Sequence, residues 1–230
     1  MKIAFISDVH SNYEALKTVL EDIQKRDVQQ IIHTGDLVGY NTDPNRCIEL
    51  IKKYKVMCIQ GNHDLNAVTL ENIKWFNEWA QIALRWTQKR LNEDNKNFLL
   101  TLPKFFEAKD KNSVYAVHGS PKDPLYEYLT PTSPDEIFKD FFEKLKVDLL
   151  VTGHTHIPDL KRFGNKVYLN PGSVGQPRDN NPKASYAIVD LSNINLISFH
   201  RIEYDLDTTA KKVIKAGLPE YLAERLYKGR

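Results

Sequence analysis

Residues 3–16 read Ile3-Ala4-Phe5-Ile6-Ser7-Asp8-Val9-His10-Ser11-Asn12-Tyr13-Glu14-Ala15-Leu16. Four consecutive apolar residues, Ile3 to Ile6, fit a strand buried on both faces. They stop at Asp8 and His10, two residue types that bind metals. Tyr13, Ala15, Leu16, Val19, Leu20 and Ile23 then recur at helical spacing. Ser11 with Glu14 three residues later predicts a capping box at the start of that helix. The pattern repeats. Ile31 and Ile32 make a second strand, Asp43-Pro44 opens a helix through Cys47, Ile48, Ile51 and Tyr54, and Val56 to Ile59 make a third strand. These β-α-β-α-β steps predict an α/β fold, with a parallel sheet covered by helices.

The middle of the chain differs. Trp75, Phe76, Trp79, Ile82, Ala83 and Trp86 fall at helical spacing between about Asn72 and Leu91. A helix buried on one side explains them; a cap that lays an aromatic ring over a substrate base, or a dimer face, are the alternatives. Residues 92–111 read as a short helix and a polar turn. Val114 to Val117 is a strand ending at His118. Ser133, Pro134 and Glu136 start a helix that runs to about Leu145, and Asp148 to Thr152 is a strand ending at Gly153-His154. Gly164-Asn165 predicts a hairpin turn. Ala184 to Asp190 and Leu196 to Tyr204 read as antiparallel strands. Residues from about Thr208 to Lys228 read as helical, with a break at Gly217-Leu218-Pro219.

The chain has 230 residues, 41% of them hydrophobic and 27% charged, and its formal net charge is +2. That length suits one domain. The balanced charge gives no footprint for nucleic acid as an obligate partner. The three basic residues between Arg225 and Arg230 read as a solvated tail. Cys47 and Cys58 lie in no zinc-type spacing and read as buried thiols of a reduced compartment. No apolar run reaches the ~18 residues of a membrane span, and the apolar N-terminus is too short for a signal-peptide core. The expectation is a cytoplasmic protein with no membrane partner; whether it forms a homo-oligomer stays open.

Five apolar segments end in metal-type ligands: Asp8-Val9-His10, Gly35-Asp36, Gly61-Asn62-His63-Asp64, His118-Gly119 and Gly153-His154-Thr155-His156. In open α/β sheets, ligands bind beyond the carboxyl ends of the strands, so these clusters are expected to converge on one rim. Five of the seven histidines lie in them, while His33 and His200 do not. A lone histidine is usually a satisfied structural residue. Five placed after separate strands are not, because burying polar rings costs energy unless each is bonded. Gly35, Gly61, Gly119 and Gly153 leave room for backbone to pass close to a metal or phosphate. Carboxylate, imidazole and amide donors suit Mn²⁺, Fe or Zn²⁺ over a thiolate site. Seven candidates exceed the needs of one tetrahedral ion, so two ions about 3.5–4 Å apart are expected.

Together these motifs (DxH, GD, GNHD, HG and GHTH, over residues 8 to 156) resemble the calcineurin-like metallophosphoesterase superfamily. The resemblance implies a four-layer α/β/β/α sandwich of two mixed sheets flanked by helices. It implies one domain over 1–230 with a helical insertion at about 70–105. Asp8, His10 and His156 would bind a first metal, and Asn62, His118 and His154 a second, with Asp36 bridging. Mn²⁺ is the first choice, with Fe, Zn²⁺, Ni²⁺ or Co²⁺ as alternatives. His63 resembles the histidine that contacts the scissile phosphate and protonates the leaving oxygen, and Asp64 would orient it or serve a salt bridge or turn. A metal-bridging hydroxide would attack phosphorus in line.

The stretches at His10 to Asn12, Gly35 to Tyr40, His118 to Pro121 and Asn170 to Arg178 resemble a prokaryotic branch related to bis(5′-nucleosyl)-tetraphosphatases and small phosphodiesterases. There Asn12, Tyr40 and Arg178 are candidates for substrate binding, Arg178 because a guanidinium matches phosphate. Gly35-Asp36 is followed by Leu-Val-Gly-Tyr, so the GDxVDRG pattern of protein phosphatases and symmetric tetraphosphatases is missing, with its phosphate-clamping arginine. The expected function is a metal-dependent phosphoesterase acting on a small nucleotide-type phosphodiester, phosphomonoester or phosphoanhydride. The alternatives are a dinucleoside polyphosphate hydrolase, a nuclease, or a scaffold that has lost catalysis.

Overall fold

In the computed structural model, which describes residues 1–109 and 112–230, the first apolar run is strand β1 (Lys2–Ile6). It pairs in parallel with β2 (Gln30–His33), which pairs in parallel with β3 (Met57–Cys58). On its other side β1 runs antiparallel to β9 (Ala184–Asp190), which pairs with β10 (Ile197–Ile202). The second sheet has the order β4 (Phe105–Ala108), β5 (Val114–Val117), β6 (Leu149–Val151), β8 (Lys166–Pro171) and β7 (Pro158–Phe163). Its three inner strands are parallel, with an antiparallel strand on each edge.

The two sheets pack face to face. Ile3, Phe5, Ile32, Ala187 and Val189 of the first meet Val114, Ala116, Leu149, Val151, Val167 and Leu169 of the second. Because strand side chains alternate, Ala4 and Ile6 point the other way. They pack under α1 (Tyr13–Gln24) and α2 (Pro44–Lys53) through Leu16, Val19, Leu20, Ile48 and Ile51. On the outer face of the second sheet, Phe138, Phe141 and Phe142 of α6 (Asp135–Leu145) cover Tyr115, Leu150 and Tyr168. The result is the four-layer sandwich, with the carboxyl ends of β1, β2, β3, β5 and β6 on one rim. Cys47 and Cys58 are buried free thiols, and among the described residues no helix is long and apolar enough to cross a membrane.

Several local expectations fail for identifiable reasons. The cap of α1 is Asn12, whose Oδ1 accepts from the Ala15 N–H at 3.1 Å. Ser11 instead accepts from the Gly39 N–H, and Glu14 binds Lys212. Tertiary partners thus took both residues of the expected capping box. Ser133 does not cap α6 either; its Oγ accepts from the Thr130 N–H. The tryptophan segment is not one helix. After α3 (Asn62–Thr69), a 3₁₀ turn (Ile73–Trp75) precedes α4 (Glu78–Arg90), which Asn77 caps. The buried face of α4 is Ala80, Ala83, Leu84 and Thr87, while Trp75 is 70% exposed. Residues 92–111 hold α5 (Glu93–Thr101) and then β4, where a polar turn was expected; Asp110 and Lys111 lie outside the described residues. The C-terminal residues form α7 (Leu206–Lys215) and α8 (Glu220–Lys228), and Arg225 is buried rather than part of a solvated tail.

Asn12 also donates from Nδ2 to the Gly175 carbonyl at 2.9 Å and accepts from Thr209 Oγ1. Asn12→Ala removes a helix cap and leaves a buried carbonyl without its donor. A loss of about 1–3 kcal/mol is expected, read as a lower urea midpoint at unchanged slope.

Candidate metal centre

The loops after β1, β2 and β6 turn their candidate ligands inward at a cost in backbone conformation. Asp8, His10, Asp36, His154 and His156 all sit at positive φ, between 48° and 67°. For residues with a Cβ this region costs roughly 1–2 kcal/mol each. Such strain persists where the surrounding structure over-determines it. Gly35, at φ +95°, has a further reason to be glycine, since a Cβ there would lie 2.6 Å from His118 Nδ1.

The seven expected ligands come together in one buried cluster. Hydrogen bonds to carbonyls fix the imidazole tautomers. His10 Nδ1 faces the Val38 carbonyl at 3.1 Å, His156 Nδ1 the Gln176 carbonyl at 2.6 Å, and His118 Nδ1 the Thr34 carbonyl at 2.9 Å. A carbonyl can only accept, so each Nδ1 carries the proton, and the Nε2 of the neutral His10 and His156 rings presents a lone pair. Yet His10 Nε2 and His156 Nε2 stand 3.1 Å apart, with Asp8 Oδ1 3.3 Å from the latter. His118 Nε2 lies 3.1 Å from Asn62 Oδ1 and 3.4 Å from Asp36 Oδ2, within reach as a donor when the ring is protonated. Asp8 Oδ1 and His154 Nε2 are buried with no hydrogen-bond partner. Acceptors facing acceptors repel one another unless a cation lies among them, and edges of about 3 Å suit ligands bound at about 2.1 Å. Asp8, His10 and His156 form one group able to hold an ion and Asp36, His118 and His154 another, while His10, Asp36 and His63 form a third group that overlaps both. Asp36 Oδ2 is also 3.7 Å from His10 Nε2, so this carboxylate lies between the two groups.

The electrostatics agree. Burial drives the pKa values of His10, His154 and His156 well below the usual imidazole value, which keeps these rings neutral and able to coordinate. Burial also lowers His118, but the Asp36 and Asp8 carboxylates overcome it and push that ring up to about 9. The pocket attracts positive charge.

His63 and Asp64 are placed differently. The His63 ring sits 4.7 Å from the rings of His10 and Tyr40 and 5.0 Å from Phe76, and its Nδ1 is buried without a partner. Burial lowers its pKa to about 4. Asp64 does not hydrogen-bond to that ring and is not on the surface. Its carboxylate accepts from the backbone N–H groups of Asp36, Val38 and Gly61 at 2.9, 3.1 and 2.9 Å. It is the turn residue that ties the loop after β2 to the loop after β3.

Above the cluster lies a cavity of about 310 Å³. Tyr40 and Arg178 line it, as do Trp75, Phe76, Asn77, Tyr126 and Tyr128. Arg178 donates to Gln176 Oε1 at 3.0 Å while its Nε is buried without a partner. Asn12 does not line the cavity, because its amide is consumed by Gly175, Ala15 and Thr209. Tyr126 and Tyr128 were not anticipated. They follow His118-Gly119 in the loop before α6, and their position just after a ligand-bearing strand was the available signal. Tyr128 stacks on His154 at 3.8 Å, and Asn66 and Asn72 both donate to the Tyr126 hydroxyl. Of the two histidines outside the motifs, His33 is a buried ring whose pKa burial lowers to about 3, and His200 stacks on Tyr186.

Comparisons with known proteins agree with this geometry. Residues 1–194 match the model of the calcineurin-like phosphoesterase superfamily domain. The chain is 41% identical to the uncharacterized protein MJ0912 of Methanocaldococcus jannaschii, over 99% of this chain and 98% of that one. It is 26% identical to phosphodiesterase YfcE of Escherichia coli, over 87% and 93%. A crystal structure of a metallophosphoesterase from Sphaerobacter thermophilus superposes with a TM-score of 0.84 at 34% identity, covering 100% of this chain and 99% of that one. With the family model spanning every strand-end motif, the chain belongs to the calcineurin-like phosphoesterase superfamily.

Proposed function

We propose that this chain is a dinuclear metal-dependent phosphoesterase that cleaves a small, nucleotide-type phosphodiester or phosphoanhydride, with Mn²⁺ as its metal. The observation that carries this reading is the pair of bare imidazole nitrogens, His10 Nε2 and His156 Nε2, held 3.1 Å apart below a cavity that His63 overlooks. Asp8, His10 and His156 would hold one ion, Asn62, His118 and His154 the other, and Asp36 both. Bound there, such a pair supplies an activated water and neutralises charge on the phosphate.

The chain's own side chains account for the remaining requirements. His63 faces the space a phosphate would occupy. Burial leaves its ring neutral in the free protein, and an anionic substrate beside it favours the protonated form, which can then donate to the leaving oxygen. Arg178 offers a guanidinium to the phosphate oxygens. The helical stretch at about 70–105, read as an insertion in one domain, brings Trp75 and Phe76 to the cavity, where aromatic faces suit a nucleobase. A diesterase preference is supported by the name of YfcE as a phosphodiesterase. Hydrolysis of a dinucleoside polyphosphate is the second reading. A scaffold role is disfavoured because every ligand position and His63 are filled. Two buried free thiols fit a reducing, cytoplasmic setting.

Three outcomes are expected. Protein loaded with Mn²⁺ and desalted should contain about two ions per chain by elemental analysis, and Asp36→Asn should retain fewer. Loaded protein should hydrolyse bis(p-nitrophenyl) phosphate and lose that turnover in EDTA; full turnover after stripping would refute the proposal. His63→Ala should keep its metal and lose ~10²–10⁴-fold in kcat on esters with poor leaving groups. If that variant loses metal instead, the role given to His63 is wrong.

A further inference from the structure

His63 is held differently from the histidines beside it. His10, His118 and His156 each turn Nδ1 to a backbone carbonyl, and those hydrogen bonds fix their rings. The Nδ1 of His63 is buried with no partner. Its backbone, by contrast, is tied to the metal centre, since the His63 N–H donates to Asp36 Oδ1 at 2.8 Å. The terminal torsion of an imidazole is soft. A ring with no hydrogen bond on its Nδ1 side keeps one orientation through packing.

Three rings and one bare stretch of backbone supply that packing. The His63 centroid lies 4.7 Å from those of His10 and Tyr40 and 5.0 Å from that of Phe76. The His10 and Phe76 planes stand steeply to it, at 76° and 87°, and Tyr40 is tilted by 40°. Ring pairs at such separations and angles are attractive and directional. On the Nδ1 side is Gly39, where a Cβ would lie 2.5 Å from that nitrogen. Gly39 also has φ +105°, so both the close approach and the backbone require glycine.

The walls of this box are themselves anchored. The Gly39 N–H donates to Ser11 Oγ at 3.1 Å. Tyr40 is buried, and the Arg225 guanidinium carbon of α8 lies 5.6 Å from its ring centroid. Phe76 belongs to the turn before α4, where its carbonyl accepts from Gln81 Nε2 at 2.8 Å. Its side chain is half-buried and packs against the cluster that holds Tyr40, Ala80 and Ala83. His10 is at once a wall of the box and a candidate ligand. The ring is therefore placed relative to the metal centre.

A general acid must meet the leaving oxygen at hydrogen-bond distance, and a displacement of about 1 Å can lower a rate about 10²-fold. We propose that Phe76 and Tyr40 are positioning residues that hold the His63 ring by contact alone, so that its proton passes to the leaving oxygen as the bond from that oxygen to phosphorus breaks. This deepens the reading of His63 as the proton donor and rests on it.

The test is a double-variant cycle on Mn²⁺-loaded full-length protein. Two substrates are compared: diphenyl phosphate, with a poor leaving group, and bis(p-nitrophenyl) phosphate, with a good one. Phe76→Ala should lower kcat on diphenyl phosphate about 10–10²-fold, with a smaller loss on the nitrophenyl ester and a smaller change in KM. In a His63→Ala background the same substitution should lower kcat by no more than about twofold, because no ring is left to hold. Phe76→Tyr, which keeps the aromatic ring, should recover most of the loss, and the metal content of each variant should match wild type by elemental analysis. Should the alanine variant not fold, Phe76→Leu runs the same cycle. Equal losses from Phe76→Ala in the two backgrounds would overturn the proposal and leave His63 as the acid. A His63→Ala variant with wild-type kcat on diphenyl phosphate would instead overturn the role of His63, and the box with it.

Discussion

The structure is organised around mutual repulsion. Lone pairs of His10 and His156 and carboxylate oxygens of Asp8 and Asp36 are held about 3–4 Å apart in a buried space at the base of the cavity. Such an arrangement is unfavourable by itself, since buried acceptors need donors or a cation. His10 and His156 each commit the Nδ1 proton to a backbone carbonyl on the far side, and burial disfavours a second proton, so rotating or re-protonating those rings gives no easy relief. Cations would relieve it, which would couple metal binding to the stability of this rim.

The scaffold supports that arrangement from below. Two sheets pack through an apolar interface that fixes the five ligand-bearing strand ends relative to one another. The loops leaving those ends adopt left-handed backbone at the ligands themselves, and Asp64 ties two of them together through three N–H groups. The Ser173 hydroxyl donates to the Asp8 carbonyl at 2.7 Å, joining the loop after β8 to the first ligand. Stability spent in strained φ angles is recovered in packing and hydrogen bonds a few ångströms away. Trp75, Phe76, Tyr126, Tyr128 and Arg178 then form the wall above the cluster.

Much of this was legible in the order of residues. Apolar runs ending at Asp8, Asp36, Asn62, His118 and His154 identify parallel strands and a shared rim, because strand burial and ligand chemistry are both local properties of residue type. The hairpin at Gly164 follows from the turn's need for positive φ. Harder were cases where a residue had competing partners. Ser11 and Glu14 have the spacing of a capping box, yet Gly39 and Lys212 claim them. Asp64 follows His63 directly but faces backbone of other loops. The tryptophans repeat at helical spacing, but small residues on α4 take the buried face.

The sequence alone determined the fold family and marked the side chains that gather at the rim, the seven metal-type candidates and His63, since each is set by residue type at the end of a strand. It could not decide that Asn12 is consumed as a cap, that Tyr126 and Tyr128 join the cavity wall, or that Arg225 comes within reach of Tyr40. Those outcomes depend on how loops and helices far apart in the chain pack together. A side chain's partners across such distances are set by the summed packing of the whole molecule rather than by its neighbours in sequence.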